Sequence, residues 1–293
     1  MIIPIVSECE GFFVGETFGG ERGHISYPLS ANMILDSGIR KLLNSDINVL
    51  QYISVGTGNS PPTASQTMLD SRLATTNRKA AYEYKYVPIA DAPEAYGQTM
   101  FSCQFDRGVA AGNLTEVAVG WTADGTENWS RSLFKDSASA PTAITVKSDE
   151  FFRVTYILKR YVPIPWVGSM TYDDDGLPAT TEVTVSPGVN TSINGNGSAG
   201  NRRHVHVANA GSGAVASFGT SPQYNQLLWK VFFDLDFGNP QIATITTGSA
   251  SGWGNQPQLI PAGTTITFDP PIPKTNEFDV TVDLLLTVAR RVP

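Results

Sequence analysis

Charge is what this 293-residue sequence has least of: Asp, Glu, Lys and Arg together make up 16% of it, against about 25% in ordinary soluble domains. A disordered chain is apolar-poor and highly charged, and with 41% hydrophobic residues this one is neither. A coiled coil would be rich in Ala, Glu, Lys, Leu and Arg, so the low charge excludes that class too. There is no basic excess. Twenty Lys and Arg against 27 Asp and Glu leave a formal net charge of −7, and nucleic acid is not an expected partner, because neutralising phosphates takes a basic surface. No run approaches the roughly 18 apolar residues of a membrane-spanning helix. The first ten residues lack the basic and apolar regions of a signal peptide. Cysteine is nearly absent. Cys9 and Cys103 are spaced neither as a metal knuckle nor as a disulfide framework, and two buried, reduced thiols in a protein made in a cytosol are expected.

What the chain does have is turn formers and aromatics. Gly and Pro number 27 and 19, and aromatics reach 10%, a composition that suits short strands between tight turns. One helix is expected near the start, capped by Ser30 and carrying Met33, Ile34, Ile39, Leu42 and Leu43 at near-helical spacing. Gly38 in its middle weakens it by about 1 kcal/mol relative to Ala. Gln51–Val55 then reads as a strand running into Gly56-Thr-Gly58-Asn-Ser-Pro61-Pro62, which no regular element accommodates. Further strands are expected at Tyr82–Tyr86, Thr99–Phe105, Leu114–Trp121, Ala143–Lys147 and Phe151–Tyr161. In the second half they are expected at His204–Ala208, Leu227–Phe237, Ile242–Thr246, Thr264–Phe268 and Phe278–Ala289. The fold class is therefore mainly β.

An internal repeat organises these strands. Lys147-Ser-Asp-Glu-Phe151 matches Lys274-Thr-Asn-Glu-Phe278. Tyr96-Gly-Gln98 matches Tyr224-Asn-Gln226, and Phe105-Asp106 matches Phe233-Asp234. Asn77-Arg-Lys79 answers Asn201-Arg-Arg203, and Lys159–Pro163 answers Arg290–Pro293. Matches in one order at a nearly constant offset indicate a tandem duplication. The expected organisation is two tandem related β-sandwich domains, at 77–164 and 201–293, each a suitable size for a small sandwich. Residues 1–76 precede both as an N-terminal region with one short helix and a Gly/Pro loop. Residues 165–200, with Asp173-Asp-Asp-Gly176 and a low-complexity Asn/Gly/Ser run, read as a loop or linker.

Candidate chemistry is thin. Gly56-Thr-Gly58 follows a strand, but Pro61 and Pro62 remove donors and no lysine or third glycine stands where a phosphate loop needs one. A tight turn is the reading. His204 and His206 lie two apart on a strand, a spacing that can chelate a metal. The third histidine is His24 and no further ligand stands near, so surface or interface histidines are expected. Asp173–Gly176 lacks the spaced ligands of a calcium loop. Asp149-Glu150 offers the two carboxylates of an acid/base pair, yet its repeat counterpart is Asn276-Glu277, so it is read as capping a turn. No catalytic residue, metal or cofactor is expected, and the chain reads as no enzyme. Flat indole faces suit sugars, and among Trp121, Trp129, Trp166, Trp229 and Trp253 the last, within Ser-Gly-Trp-Gly-Asn, is the one expected to be exposed for ligand or interface contact.

The order of the unusual segments carries a resemblance. Asn32-Met-Ile-Leu-Asp-Ser-Gly-Ile-Arg40 comes first, then Tyr52-Ile-Ser-Val-Gly-Thr-Gly-Asn-Ser-Pro-Pro62, then Gln66-Thr-Met-Leu69 leading to Leu73-Ala-Thr-Thr-Asn-Arg78. Asn113–Val119, Phe151–Tyr156 and Pro271-Ile-Pro-Lys-Thr275 follow. This pattern resembles virion structural proteins of tailed bacteriophages, of the tail, collar and fibre-associated kind, which carry a similar helix and a similar Val-Gly-Thr-Gly…Pro loop. The resemblance implies a non-enzymatic particle component located in the virion and made in the bacterial cytoplasm. Its implied partners are other virion proteins and further copies of itself. The alternative within the same resemblance is a module that binds host-surface carbohydrate or another receptor.

Overall fold

The structure is a computed structural model that describes residues 2–44, 49–88, 90–174, 176–187, 205–207, 215–219, 223, 225–233, 242–247, 264–273 and 280–291. It is mainly β, as expected. The chain opens with β1 (Ile2–Gly20), β2 (Gly23–Ser26), β3 (Ser30–Ala31) and β4 (Met33–Ile34), and continues into helix α1 (Asp36–Asn44). Then come β5 (Tyr52–Gly56), β6 (Arg72–Thr76), β7 (Lys79–Val87), β8 (Tyr96–Phe105), β9 (Gly112–Leu114) and β10 (Glu116–Gly120). Next are β11 (Asn128–Leu133), β12 (Ile144–Val146), β13 (Phe151–Tyr161), β14 (Trp166–Asp174) and β15 (Leu177–Ser186). The last are β16 (Val205–Val207), β17 (Val215–Gly219), β18 (Gln226–Phe233), β19 (Ile242–Thr247), β20 (Thr265–Ile272) and β21 (Val280–Arg290). Among the described residues no helix is long and apolar enough to cross a membrane.

Two compact units divide the chain, and their boundaries differ from the expected ones. One comprises 1–8, 88–95 and 161–289, the other 9–87, 96–160 and 290–293. Residues 9–76 were expected to stand apart from the first copy. They belong with it because β1 pairs along β13 from Cys9↔Arg160 to Phe18↔Phe151, and β5 pairs with β10. Long-range ladders, invisible to a linear reading, set the division.

In the second unit, strands run in the order β1-β13-β8-β7 in one sheet and β4-β11-β10-β5-β6 in another. Every residue of β10 and β11 is buried, so both faces of that sheet are covered. One face meets the first sheet, where Trp129 Nε1 donates to Tyr156 Oη at 2.8 Å and the Phe134 ring stands edge-on to Phe152. On that side Asn32 Nδ2 also donates to Tyr156 Oη, and the Phe13 and Tyr156 rings lie 4.8 Å apart. Helix α1 lies against β11, seated on it through Gly38. A Cβ there would lie 2.6 Å from the Trp129 carbonyl oxygen and 2.7 Å from its Cα.

The helix starts later than expected. Ser30 and Ala31 pair with Phe13 and Phe12 of β1, and Met33 and Ile34 pair with β11, so six residues read as the helix's first turns are strand and connection. Ser30 does not cap it: its Oγ accepts the Lys135 backbone N–H. Asp36 takes the first turn instead, where a carboxylate complements the helix dipole, and Arg290 donates to it.

The first unit contains β17-β18-β21-β1 in one sheet and β14-β15-β20-β19-β16 in another. Its core includes Ile5, Val183, Val231, Ile266, Phe268 and Leu284, each contributing roughly 1.5–3 kcal/mol on burial. In each unit the strand that closes its half of the repeat, β13 or β21, lies next to β1, and the strand before it in the ladder is β8 or β18. The expected linker is a correction. Residues 166–174 and 177–186 form an antiparallel hairpin, from Trp166↔Val185 to Asp174↔Leu177. Asp173 closes its turn, accepting the Gly176 N–H at 2.6 Å. Its alternating Val183 and Val185 face the core, a signal that the polar composition of the surrounding stretch hides.

Candidate functional site

The loop that follows β5 is held by one buried carboxylate. Glu116 and Arg131, both fully buried, stand on the adjacent strands β10 and β11. The β10–β11 ladder places Glu116 opposite Leu133 and Ala118 opposite Arg131, and that diagonal brings the two charges together on one face. Arg131 Nη2 and Nε donate to Glu116 Oε2 at 2.8 and 3.2 Å. The same oxygen accepts the Asp70 N–H at 3.0 Å. Oε1 accepts the N–H groups of Gly58 at 2.9 Å and Ser71 at 2.8 Å.

Arg131 spends its remaining donors on the same loop, Nη1 on Gln66 Oε1 at 2.7 Å and Nη2 on Asp70 Oδ2 at 2.8 Å. Asp70 in turn accepts the backbone N–H and the hydroxyl of Ser60. These hydrogen bonds, the Ser60 hydroxyl foremost and then Arg131, hold the Asp70 carboxyl below the usual carboxylate range. The glycines follow from the crowding. A Cβ on Gly58 would lie 2.5 Å from Asp70 Cβ and 2.6 Å from Glu116 Oε1, and one on Gly56 2.4 Å from the Ser71 carbonyl oxygen. The Gly-Thr-Gly loop does present backbone N–H groups to an anion, and that anion is the chain's own Glu116. Asn59, Pro61, Thr63, Ser65, Thr67 and Met68 remain exposed on the secured loop.

Glu150 plays a similar part at the head of β13. Its Oε2 accepts the Lys147 N–H at 2.8 Å, closing the turn 147–150, and Arg22 grips it at 2.7 Å through Nε and 2.6 Å through Nη2. Arg22 first, then the Lys147 amide, hold its carboxyl down. Asp149 accepts the Glu21 N–H, at 3.3 Å. The two carboxylates are thus engaged separately in structure.

The other sequence candidates are not brought together. His204 and Trp253 lie outside the described residues. His206 is placed on β16, its backbone opposite Thr246. His24 is in the other unit, 3.1 Å from Glu16. Among the described residues no group of three His, Cys, Asp or Glu could hold a metal ion. Cys9 and Cys103 are buried and not joined in a disulfide, and burial pushes the Cys103 thiol up to about 12. Trp129 is core, while Trp121, half-buried, donates to Glu127 at 3.0 Å with Lys41 Nζ 5.6 Å from its ring centre. Sequence reasoning found the glycine loop and missed Glu116 and Arg131. The signal was there, a Glu and an Arg alone inside otherwise apolar or small-residue strands. No family model, curated protein or solved structure matches the chain.

Proposed function

We propose that the chain is a non-enzymatic structural component of a bacteriophage virion, assembling as a symmetric oligomer in the tail, collar or fibre-attachment region. The reading rests on the use made of the segments that carry the phage-like pattern. Residues 32–40 enter α1, 52–62 form β5 and its loop, and 66–78 return as β6. The loop and the chain returning from it converge on Glu116 and Arg131, which take up the polar groups of Gly58, Gln66, Asp70 and Ser71. A loop whose donors answer an internal carboxylate is built to hold a shape rather than a phosphate. A rigid scaffold presenting an exposed loop is what a docking part needs. The low charge density agrees, since interface cores are depleted in charged residues.

Immunogold labelling of purified particles with antibody to the chain tests this. Label at one fixed position along the particle is expected. Unlabelled particles, with the chain found only in the soluble lysate, would overturn it. Labelled particles combined with glycan binding by the isolated protein would shift the role to host-surface recognition.

A further inference from the structure

Strand β14 is the outer strand of its sheet, and among the described residues β15 is its one neighbour. Exposed edges present unpaired N–H and C=O groups, and proteins guard them with charge, proline or a bulge. Edge strand β7 keeps that rule, carrying Lys79, Glu83 and Lys85. Edge strand β14 keeps it at its end alone, with Asp173 and Asp174. From Trp166 to Tyr172 it has no charged residue and no proline, and its ladder with β15 runs from 166 to 174 without a bulge. Its surface is also apolar in places where water reaches it, with Val167 61% exposed. Gly168 has its face filled by the Trp166 ring, which a Cβ would meet at 2.3 Å. Beyond Glu182, β15 leaves its other partner β20, so 171–174 and 177–180 continue as a two-stranded arm, with Leu177 70% exposed at its end.

We propose that β14 is a self-association edge: two copies of the chain pair their β14 strands antiparallel about a two-fold axis at Met170, joining two sheets into one. An axis normal to the sheet keeps both cores on the same face, which requires facing residues to be of equal parity. Centring on Met170, the buried middle residue of β14, satisfies this and uses the whole strand. Ser169 then faces Thr171 of the second copy twice over, a hydroxyl pair favoured across strands. Gly168, its face already taken by its own Trp166 ring, stands opposite Tyr172. Asp173 and Asp174 face Val167 and Trp166, so no like charges meet. Moving the axis to Asp173 would set that carboxylate against itself. A second copy is thus the occupant that this edge matches in length and charge. The inference deepens the self-association in the proposed function and does not depend on the particle.

Charge swapping on the full-length protein, read by sedimentation velocity, tests both edge and register. S169K/T171K sets lysine against lysine across the axis, and association should weaken by at least about tenfold. S169K/T171E sets lysine against glutamate, and association should return to within about threefold of wild type. Within one chain, position 169 lies opposite Glu182 and position 171 opposite Thr180. Both variants therefore place the first lysine against the same carboxylate and the second charge against a neutral side chain, and circular dichroism of each checks that the hairpin folds. Unchanged association in S169K/T171K, or no recovery in S169K/T171E, overturns the proposal while leaving oligomerisation by another surface. A wild-type monomer overturns it together with the self-association reading, and particle labelling stays independent. If circular dichroism shows that the lysine variant does not fold, Met170→Cys provides a second readout. Mild oxidation should give a disulfide-linked dimer there and not with Val167→Cys, and absence of that difference overturns the proposal.

Discussion

Removing one partner of a buried ion pair strands the other charge, at a cost of about 3–5 kcal/mol, whereas replacing both with apolar groups is often neutral or better. Glu116 and Arg131 are fully buried and share one oxygen with the Asp70 amide. Glu116→Leu alone leaves three loop N–H groups without their acceptor and removes the buried carboxylate from a guanidinium that keeps Gln66 and Asp70. Arg131→Met alone leaves a carboxylate that still holds Gly58, Asp70 and Ser71. The two changes are therefore unequal, with Glu116→Leu the more damaging. In urea titrations each single variant should lose about 3–5 kcal/mol, and the double variant should lose less than the sum of the two by at least about 1 kcal/mol. Strict additivity would show that the pair does not act as a unit.

At the scale of elements, helix α1 shows how packing reverses a local preference. In an exposed helix Gly→Ala stabilises by about 1 kcal/mol. Gly38 lies against backbone of β11, with the Trp129 carbonyl oxygen 2.6 Å and its Cα 2.7 Å from where an alanine methyl would stand, so Gly38→Ala must push the helix off its sheet. Its thermal midpoint should fall, and a rise would show that α1 is not seated on β11 in this way. The same contrast explains what was legible. Phe151–Tyr161 alternates cleanly and is β13 as expected, with the expected bounds. β1, the longest strand among the described residues, gave no such signal, because Ser7, Gly11, Gly15 and Thr17 occupy its buried face beside Ile3, Ile5, Cys9 and Phe13. The glycines are there for room: a Cβ on Gly11 would meet the Tyr156 hydroxyl at 2.3 Å. β11, Asn-Trp-Ser-Arg-Ser-Leu, reads as polar and is buried throughout, with Asn128, Trp129, Arg131 and Ser132 finding partners distant in sequence. Half of the candidate site, the Gly-Thr-Gly loop, could be read directly. Its anchor Glu116 lies 58 positions from Gly58, and only the β5–β10 ladder brings them together.

At the scale of the whole molecule, β1 supplies residues 2–8 to one compact unit and 9–20 to the other. Cys9 stands at that passage and Cys103 in the β7–β8 ladder, opposite Lys79; both are buried. The two thiols therefore report on opening at two separate places in the same unit. Protection has two causes with one sign: burial excludes reagent, and desolvation raises the Cys103 thiol to about 12, so that at pH 8 the reactive thiolate is scarce in the folded chain and abundant only when unfolding returns it to about 8.5. If β1, held along β13 from Cys9↔Arg160 to Phe18↔Phe151, opens only with the rest of its sheet, both cysteines should label together. Pulsed labelling at pH 8 across a urea titration should give near-zero incorporation in the native baseline. It should then rise to two labels per chain in a single step that coincides with loss of the β circular dichroism signal. Labelling of Cys9 at urea concentrations where Cys103 stays protected would instead show that β1 detaches from β13 before the β7–β8 ladder opens.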